Sequence, residues 1–323
     1  MQWNERIGRR IKLRDLHLLE AAAHAGSLAK AAKSLGMSQP AVSYAIAEME
    51  KSLGVPLLDR TSQGVTPTAF GRVLLERSTV VFNELRQGLT EIESLADPAS
   101  GELRLGTPQP MLAVTTAIID RLARRYPRMT FHLTVESTHI LLRELRERAI
   151  ELVVSRMLVP LVEDDMSIEI LFQDQLAIIA GKDNPLLRRR AVRLDQLMGE
   201  RWVLPPPDGW LQPLMRKAFA EHGLEVPRAT VNTFSTYAVS MLVAQGPFLT
   251  MHPETMLHVT HEHPALRALP IELPDTRTPV ALISPKGRSL SPIAKLFVQT
   301  ARIAVGEMFG KRPKRASRRY QAS

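Results

Sequence analysis

The chain has 323 residues, 45% of them hydrophobic and 23% charged, a length that fits two folded domains and a composition typical of globular proteins. It contains no cysteine, which excludes a disulfide framework, thiolate metal ligands, a CxxC redox pair and a cysteine nucleophile. The net charge is +9, but much of the excess is a tail at 311–323 (Lys311, Arg312, Lys314, Arg315, Arg318, Arg319), read as a disordered, solvated extension that can supplement phosphate contacts.

The N-terminal stretch MQWNERIGRRIKLRDLHLLEAAA carries basic residues without an uninterrupted apolar core, and no run of about 18 apolar residues occurs. Neither a secretory leader nor a membrane span is expected, and the chain reads as cytoplasmic. Leu13, Leu16, Leu19 and Ala23 recur at helical spacing up to Gly26, a natural helix terminator. Ser27 can cap a second helix with the stripe Leu28, Ala31, Ala32 and Leu35, closed by Gly36. A third helix is expected from Gln39, capped by Ser38, with Pro40 in its first turn, where no intrahelical N–H is lost.

In that third helix Val42, Ile46, Met49 and Leu53 share one apolar stripe, and the opposite face presents Pro40, Ser43, Tyr44, Ala47 and Lys51. Two short helices joined by a tight glycine-containing turn, the second with a slim outward face, form a helix-turn-helix able to enter the DNA major groove. Gln39 can pair with adenine or accept water-bridged contacts, while Ser43 and Tyr44 can reach base edges or phosphate. The stretch VPLLDRTSQGVTPT reads as a hairpin wing turning at Ser62, Gln63 and Gly64. Its Arg60 can enter the minor groove or hold a phosphate, with an ion pair to Asp59 or Glu50 as the structural alternative.

The segment GSLAKAAKSLGMSQPAVSYAIAEMEKSLGVPLLDRTSQGVTPTAFG resembles the N-terminal signature of the LysR-type transcriptional regulators, densely over residues 12 to about 71 and more loosely beyond. The resemblance implies that Ser38, Gln39, Pro40, Ser43 and Arg60 stand where the family contacts DNA. Tyr44 replaces a frequent arginine, and Ala45 and Ala47 replace frequent polar residues, which leaves the base preference open.

From Thr66 the helical pattern resumes, with Phe70, Leu74, Val81, Leu85, Ile92 and Leu95 on a nearly heptad seam that Ser78 and Gly88 interrupt. Such a helix needs a partner, and the simplest is its own copy. A two-fold dimer would also read an inverted-repeat operator. The alternative is packing within one chain. By resemblance, dimers pair into tetramers. Asp97 to Gly101 then serves as the linker.

Residues 102–310 alternate strand and helix signals, which predicts an α/β effector domain with largely parallel sheets. Strands are expected at GELRLGT, TFHLTVES, IELVVS, LAIIAG, RWVLP, ATVNTF, GPFLTM and TPVALIS. The length suits two lobes, and the resemblance implies a periplasmic-binding-protein-like arrangement. The whole is then an N-terminal all-α winged helix-turn-helix domain (1–65), a linker and dimerisation helix (66–100) and a two-lobed effector domain (101–310). Lobe I covers about 101–173 and 277–310, and lobe II about 174–276, with crossings near Phe172 to Gln175 and Pro274 to Pro279.

Ligands of open α/β sheets collect beyond the carboxyl ends of strands. That rule selects Thr107, Gln109, Ser137, Thr138, Ser155 and Arg156 on one side. Pro205 to Trp210, including Pro206, and Phe234, Ser235 and Thr236 lie on the other. Hydroxyl caps account structurally for several of these. Together they describe a polar cleft for a small anion or polyol. Arg156 favours a carboxylate unless it pairs with Glu151 or Asp164.

His252, His258, His261 and His263 cluster, but without helical HxxxH spacing, so they are read as loop histidines in solvent and no metal is expected. Walker, GxSxG and HExxH motifs are absent from the sequence, and no cofactor is expected. The reading is a non-enzymatic, effector-controlled DNA-binding regulator, an activator contacting RNA polymerase by resemblance. The competing readings are a cytoplasmic small-molecule-binding protein whose N-terminal helices serve only association, and an α/β enzyme without a recognisable nucleophile.

Overall fold

Glycine stops and hydroxyl caps divide the first third of the chain into short helices. In the computed structural model, which describes residues 11–97, 100–157, 164–209, 211–258, 265–271, 273 and 276–309, α1 (Leu13–Ala25) ends at Gly26 with φ 61°. α2 (Leu28–Ser34) starts at Ser27, whose hydroxyl accepts from Lys30 N at 3.5 Å. α3 (Gln39–Leu53) starts at Ser38 and ends at Gly54, with φ 75°. The basic tail, Trp210, His261 and His263 lie outside the described residues.

The buried stripe of α1 is Leu16, Leu18, Leu19 and Ala22, whereas Leu13 is 47% exposed and Ala23 only half-buried. Spacing alone could not fix where that stripe begins. Val42, Ile46 and Met49 of α3 complete the core. β1 (Leu58–Thr61) and β2 (Gly64–Pro67) form an antiparallel wing with Arg60 opposite Val65. The Glu50 carboxylate accepts from the backbone N–H groups of Leu57 and Leu58 at 2.7 and 3.1 Å, tying α3 to the start of the wing.

Thr68 then opens α4 (Ala69–Ala96): its hydroxyl donates to Pro56 O at 2.7 Å and accepts from Gly71 N at 3.0 Å. Neither Ser78 nor Gly88 breaks this helix, since the Ser78 hydroxyl bonds back to Leu74 O at 2.8 Å. Leu74, expected on the outer seam, instead packs inward with Leu75 and Phe82. Phe70, Val73, Val81, Leu85, Leu89 and Ile92 remain between 40% and 64% exposed along the helix.

The chain divides into two compact units, the first running to Leu89 and including Glu147–Ala149, the second made of Thr90–Arg146 and the chain from Ile150 on. The second contains two five-stranded sheets. Lobe I holds β3 (Ser100–Thr107), β4 (Arg128–Val135), β5 (Leu152–Arg156), β6 (Met166–Asp174) and the late strand β12 (Thr278–Pro285), in the order β4-β3-β5-β12-β6. Its parallel trio β4-β3-β5 meets an antiparallel β12, because that strand re-enters after lobe II. α5 (Leu112–Arg125) and α10 (Pro292–Phe309) cover one face and α6 (Thr138–Arg146) the other. Alternation follows the pleat: Leu152 and Val154 join one core and Val153 the other.

Lobe II holds β7 (Leu176–Gly181), β8 (Arg201–Leu204), β9 (Ala229–Asn232), β10 (Phe248–Pro253) and β11 (Leu266–Ala268), in the order β11-β7-β10-β8-β9. α7 (Gln212–Ala220) packs Met215 and Phe219 on one face, and α8 (Thr236–Gln245) and α9 (Thr255–His258) line the other. Strands β6 and β11 were not expected. β6 is an edge strand, half exposed and carrying Glu169, so it lacks the apolar run that marks its neighbours. Among the described residues no helix is long and apolar enough to cross a membrane.

A methyl group at Gly71 would stand 2.0 Å from Leu57 O, a backbone atom that cannot swing aside. Gly71→Ala gains about 1 kcal/mol of helix propensity but meets an overpacking cost of about 1–3 kcal/mol or more. Urea unfolding should therefore show net destabilisation of the N-terminal unit, whereas Gly88→Ala, with open space around it, should stabilise.

Candidate functional site

At the start of α3 the Ser38 hydroxyl accepts from Ala41 N at 3.4 Å, and no acidic residue lies in the first turn. The remaining helix-start N–H groups and the positive end of the helix dipole therefore face outward unopposed. Ser38, Gln39 and Pro40 are exposed, and Tyr44 is 69% exposed. Ser43 is half-buried because its hydroxyl accepts from an Arg60 guanidinium N–H at 3.1 Å. Arg60 thus pairs with neither Asp59 nor Glu50, whose carboxylate is engaged by the wing backbone. One hydrogen bond brings wing arginine and helix face onto a single polar, cationic surface.

In the second unit, Gln109, Thr138, Ser155 and Arg156 line one cavity of about 650 Å³, together with Met111, Val135, Glu136, His139 and Phe234. The Thr138 and Ser155 hydroxyls are 2.9 Å apart. Gln109 lies in a 3₁₀ turn, and its side-chain oxygen accepts from Thr236 N, at the start of α8, at 3.3 Å. That contact joins lobe I to lobe II.

Among the described residues expected at the cleft, Thr107, Ser235 and Pro206 do not line this cavity, nor do Pro205, Pro207, Asp208, Gly209 and Thr236. Thr107 is fully buried, its hydroxyl donating to Val154 O at 3.0 Å and accepting from Thr115 at 2.9 Å. Ser235 caps α8 by accepting from Ala238 N at 3.2 Å, the ordinary role of a helix-start serine. Pro206 is half-buried beyond β8 and outside the lining.

Arg156 requires a larger correction. It binds neither Glu151, which accepts from Ser291, nor Asp164. Its guanidinium is ion-paired with Asp174 and donates to the Thr278 hydroxyl at 2.6 Å. Both side chains of the pair are only 3% exposed. Asp174 also accepts from the Thr255 hydroxyl at 2.7 Å and from Thr255 N at 3.3 Å. The guanidinium already holds a carboxylate, so the charge argument for an acidic ligand loses its basis. The partner was missed because Asp174 lies eighteen residues downstream, in the strand that was not anticipated.

His252 corrects the reading of loop histidines in solvent, for it sits in β10 and is 7% exposed. Its Nδ1 is buried without a partner, as is Arg156 Nε. Burial, followed by the Arg156 charge, pushes the imidazole down to about 4, so it is neutral at physiological pH. Among the described residues no group of His, Asp and Glu is arranged to hold a metal.

Comparison with known proteins matches residues 13–72 to the bacterial regulatory helix-turn-helix protein, lysR family, and residues 96–305 to the LysR substrate binding domain. The HTH-type transcriptional regulator GbpR of Azospirillum brasilense is 26% identical over 91% of this chain and 87% of its own. GbpR of Rhizobium radiobacter is 30% identical over 71% of this chain and 76% of its own. Among solved structures, full-length CbnR complexed with its target DNA superposes with a TM-score of 0.69 at 22% identity, covering 91% of this chain and all of that one.

The neutral, buried His252 generates a pH dependence. The folded pKa lies below the ordinary value of 6.5, so the unfolded chain binds the extra proton. This contribution is fully present above about pH 6.5 and is lost as pH falls toward about 4, amounting to roughly 3 kcal/mol. Denaturant titrations at pH 7 and pH 5 should differ less for His252→Gln than for the unaltered chain.

Proposed function

Since the chain belongs to the LysR family of DNA-binding transcriptional regulators and carries the family's effector-binding domain, we propose that α3 reads double-stranded operator DNA through Ser38, Gln39, Pro40, Ser43 and Tyr44 while Arg60 holds the backbone or minor groove. The observation that carries this reading is the Arg60 to Ser43 hydrogen bond, which couples the wing cation to an exposed helix start lacking any acidic residue. Tyr44 offers a ring and a hydroxyl rather than the bidentate donor pair that reads guanine, so it suits thymine methyls or phosphate better.

One such helix covers few base pairs. We read the exposed apolar residues of α4 as the surface that a second copy covers, producing a dimer on an inverted repeat and, by pairing, a tetramer. The effector site is the 650 Å³ cavity, supported by the Gln109 to Thr236 contact that joins its two walls. A ligand that favours one lobe spacing would shift the regulator between two states. Transcription activation through RNA polymerase is the direction proposed.

Ser43→Asp adds a negative charge at the groove and captures Arg60, two effects of the same sign. Gel shifts with the region upstream of its own gene should weaken about a hundredfold with an unchanged far-ultraviolet spectrum; unaltered affinity would remove α3 from the interface. Leu85→Glu should convert the oligomer to monomer in sedimentation velocity and weaken operator binding with it. If the assembly keeps its mass, the partner surface lies elsewhere.

A further inference from the structure

Arg156 is the one lysine or arginine among the described residues lining the 650 Å³ cavity, and its charge is already matched. Asp174 holds the guanidinium inside a site where both side chains are 3% exposed, with Thr255 and Thr278 completing the contacts. An anion approaching Arg156 would therefore meet Asp174 almost as closely, and repulsion from the second would cancel most of the attraction to the first. Glu136, exposed on the same lining, adds a further negative charge.

Apart from Glu136, His139 and the matched Arg156, the described lining offers hydroxyl and amide groups. Arg156 Nε is a donor without an acceptor, but it is buried with essentially no surface open to the cavity, so the Gln109 amide and the Thr138 hydroxyl are the groups within a guest's reach. The half-buried Thr138 hydroxyl can turn toward a guest, while Ser155, fully buried, holds it at 2.9 Å and also bonds Arg156 O at 3.3 Å. Met111, Val135 and Phe234 supply apolar walls.

We infer that Asp174 sets the ligand class of the cavity: by neutralising Arg156 it makes the site select an uncharged effector with a carbonyl or hydroxyl acceptor on an apolar body over the carboxylate of the same skeleton. This rests on the reading of the cavity as the effector site. Asp174 acts through Arg156, without touching the ligand.

The test is calorimetry of the full-length protein with benzamide and benzoate, which share a skeleton and differ in charge. The unaltered chain should bind benzamide about tenfold or more tightly than benzoate. Asp174→Asn, which exposes the guanidinium charge, should raise benzoate affinity about tenfold while benzamide stays within about threefold. Benzoate binding the unaltered chain as tightly as benzamide, or gaining nothing from Asp174→Asn, overturns the inference. Where benzamide gives no heat, the benzoate gain alone decides.

If Asp174→Asn fails to fold, the double change Arg156→Gln with Asp174→Asn, which removes both buried charges together, replaces it: benzoate affinity should stay within about twofold, and a tenfold loss overturns the inference. Thr138→Trp, which fills the cavity, separates the two readings. Benzamide binding that survives this change places the ligand elsewhere and defeats the cavity assignment, whatever Asp174 does to charge.

Discussion

One buried carboxylate organises the second unit. Asp174 ends β6, where the chain leaves lobe I, and is in register with Thr278, where the chain returns. It holds Arg156 from the end of β5 and Thr255 from the start of α9, while Leu176 N donates to the Thr276 hydroxyl at 3.0 Å beside it. Removing one member of such a pair leaves an uncompensated charge, at a cost of about 3–5 kcal/mol. Both crossings and both lobes therefore meet at a point that resists partial rearrangement, and that same point forms part of the cavity wall.

The N-terminal unit applies the opposite treatment to its polar groups. Glu50 and Thr68 satisfy backbone donors and acceptors where the wing and α4 meet the helices, which fixes the scaffold. At the start of α3 only Ser38 caps, and the neighbouring positions are exposed. Polar groups are satisfied where the fold needs rigidity and left open where a polyanion can complete them.

Much of this was legible in the sequence because its signals are local. Ser27, Ser38, Gly26 and Gly54 sit at helix ends whose capping chemistry depends on a few neighbouring residues, and the α3 stripe follows from a single period. The cavity was legible only in part. Strand ends drew attention to Gln109, Thr138, Ser155 and Arg156, which line one cavity, but a hydroxyl's neighbours depend on tertiary packing, and Thr107 and Ser235 are engaged internally. The partner of Arg156 lay across two strands, one of them a half-exposed edge without a clear apolar pattern. His252 read as one of a loop cluster because spacing along the chain conceals burial in a sheet.

The cavity's position at the lobe crossing bears on how a bound molecule could exert control. A ligand enclosed wholly within one lobe would bind equally well at any lobe spacing and would shift nothing. Here the lining includes Phe234 from lobe II, and Gln109 reaches Thr236 across the gap at 3.3 Å, long for a hydrogen bond and sensitive to small displacements. A guest that bonds to Gln109 must either share that contact or replace it, and its affinity then depends on the separation of the lobes. The Arg156 to Asp174 pair is buried and closely held, whereas the Gln109 contact is long, so the proposed coupling between occupancy and lobe spacing is carried on the Gln109 side.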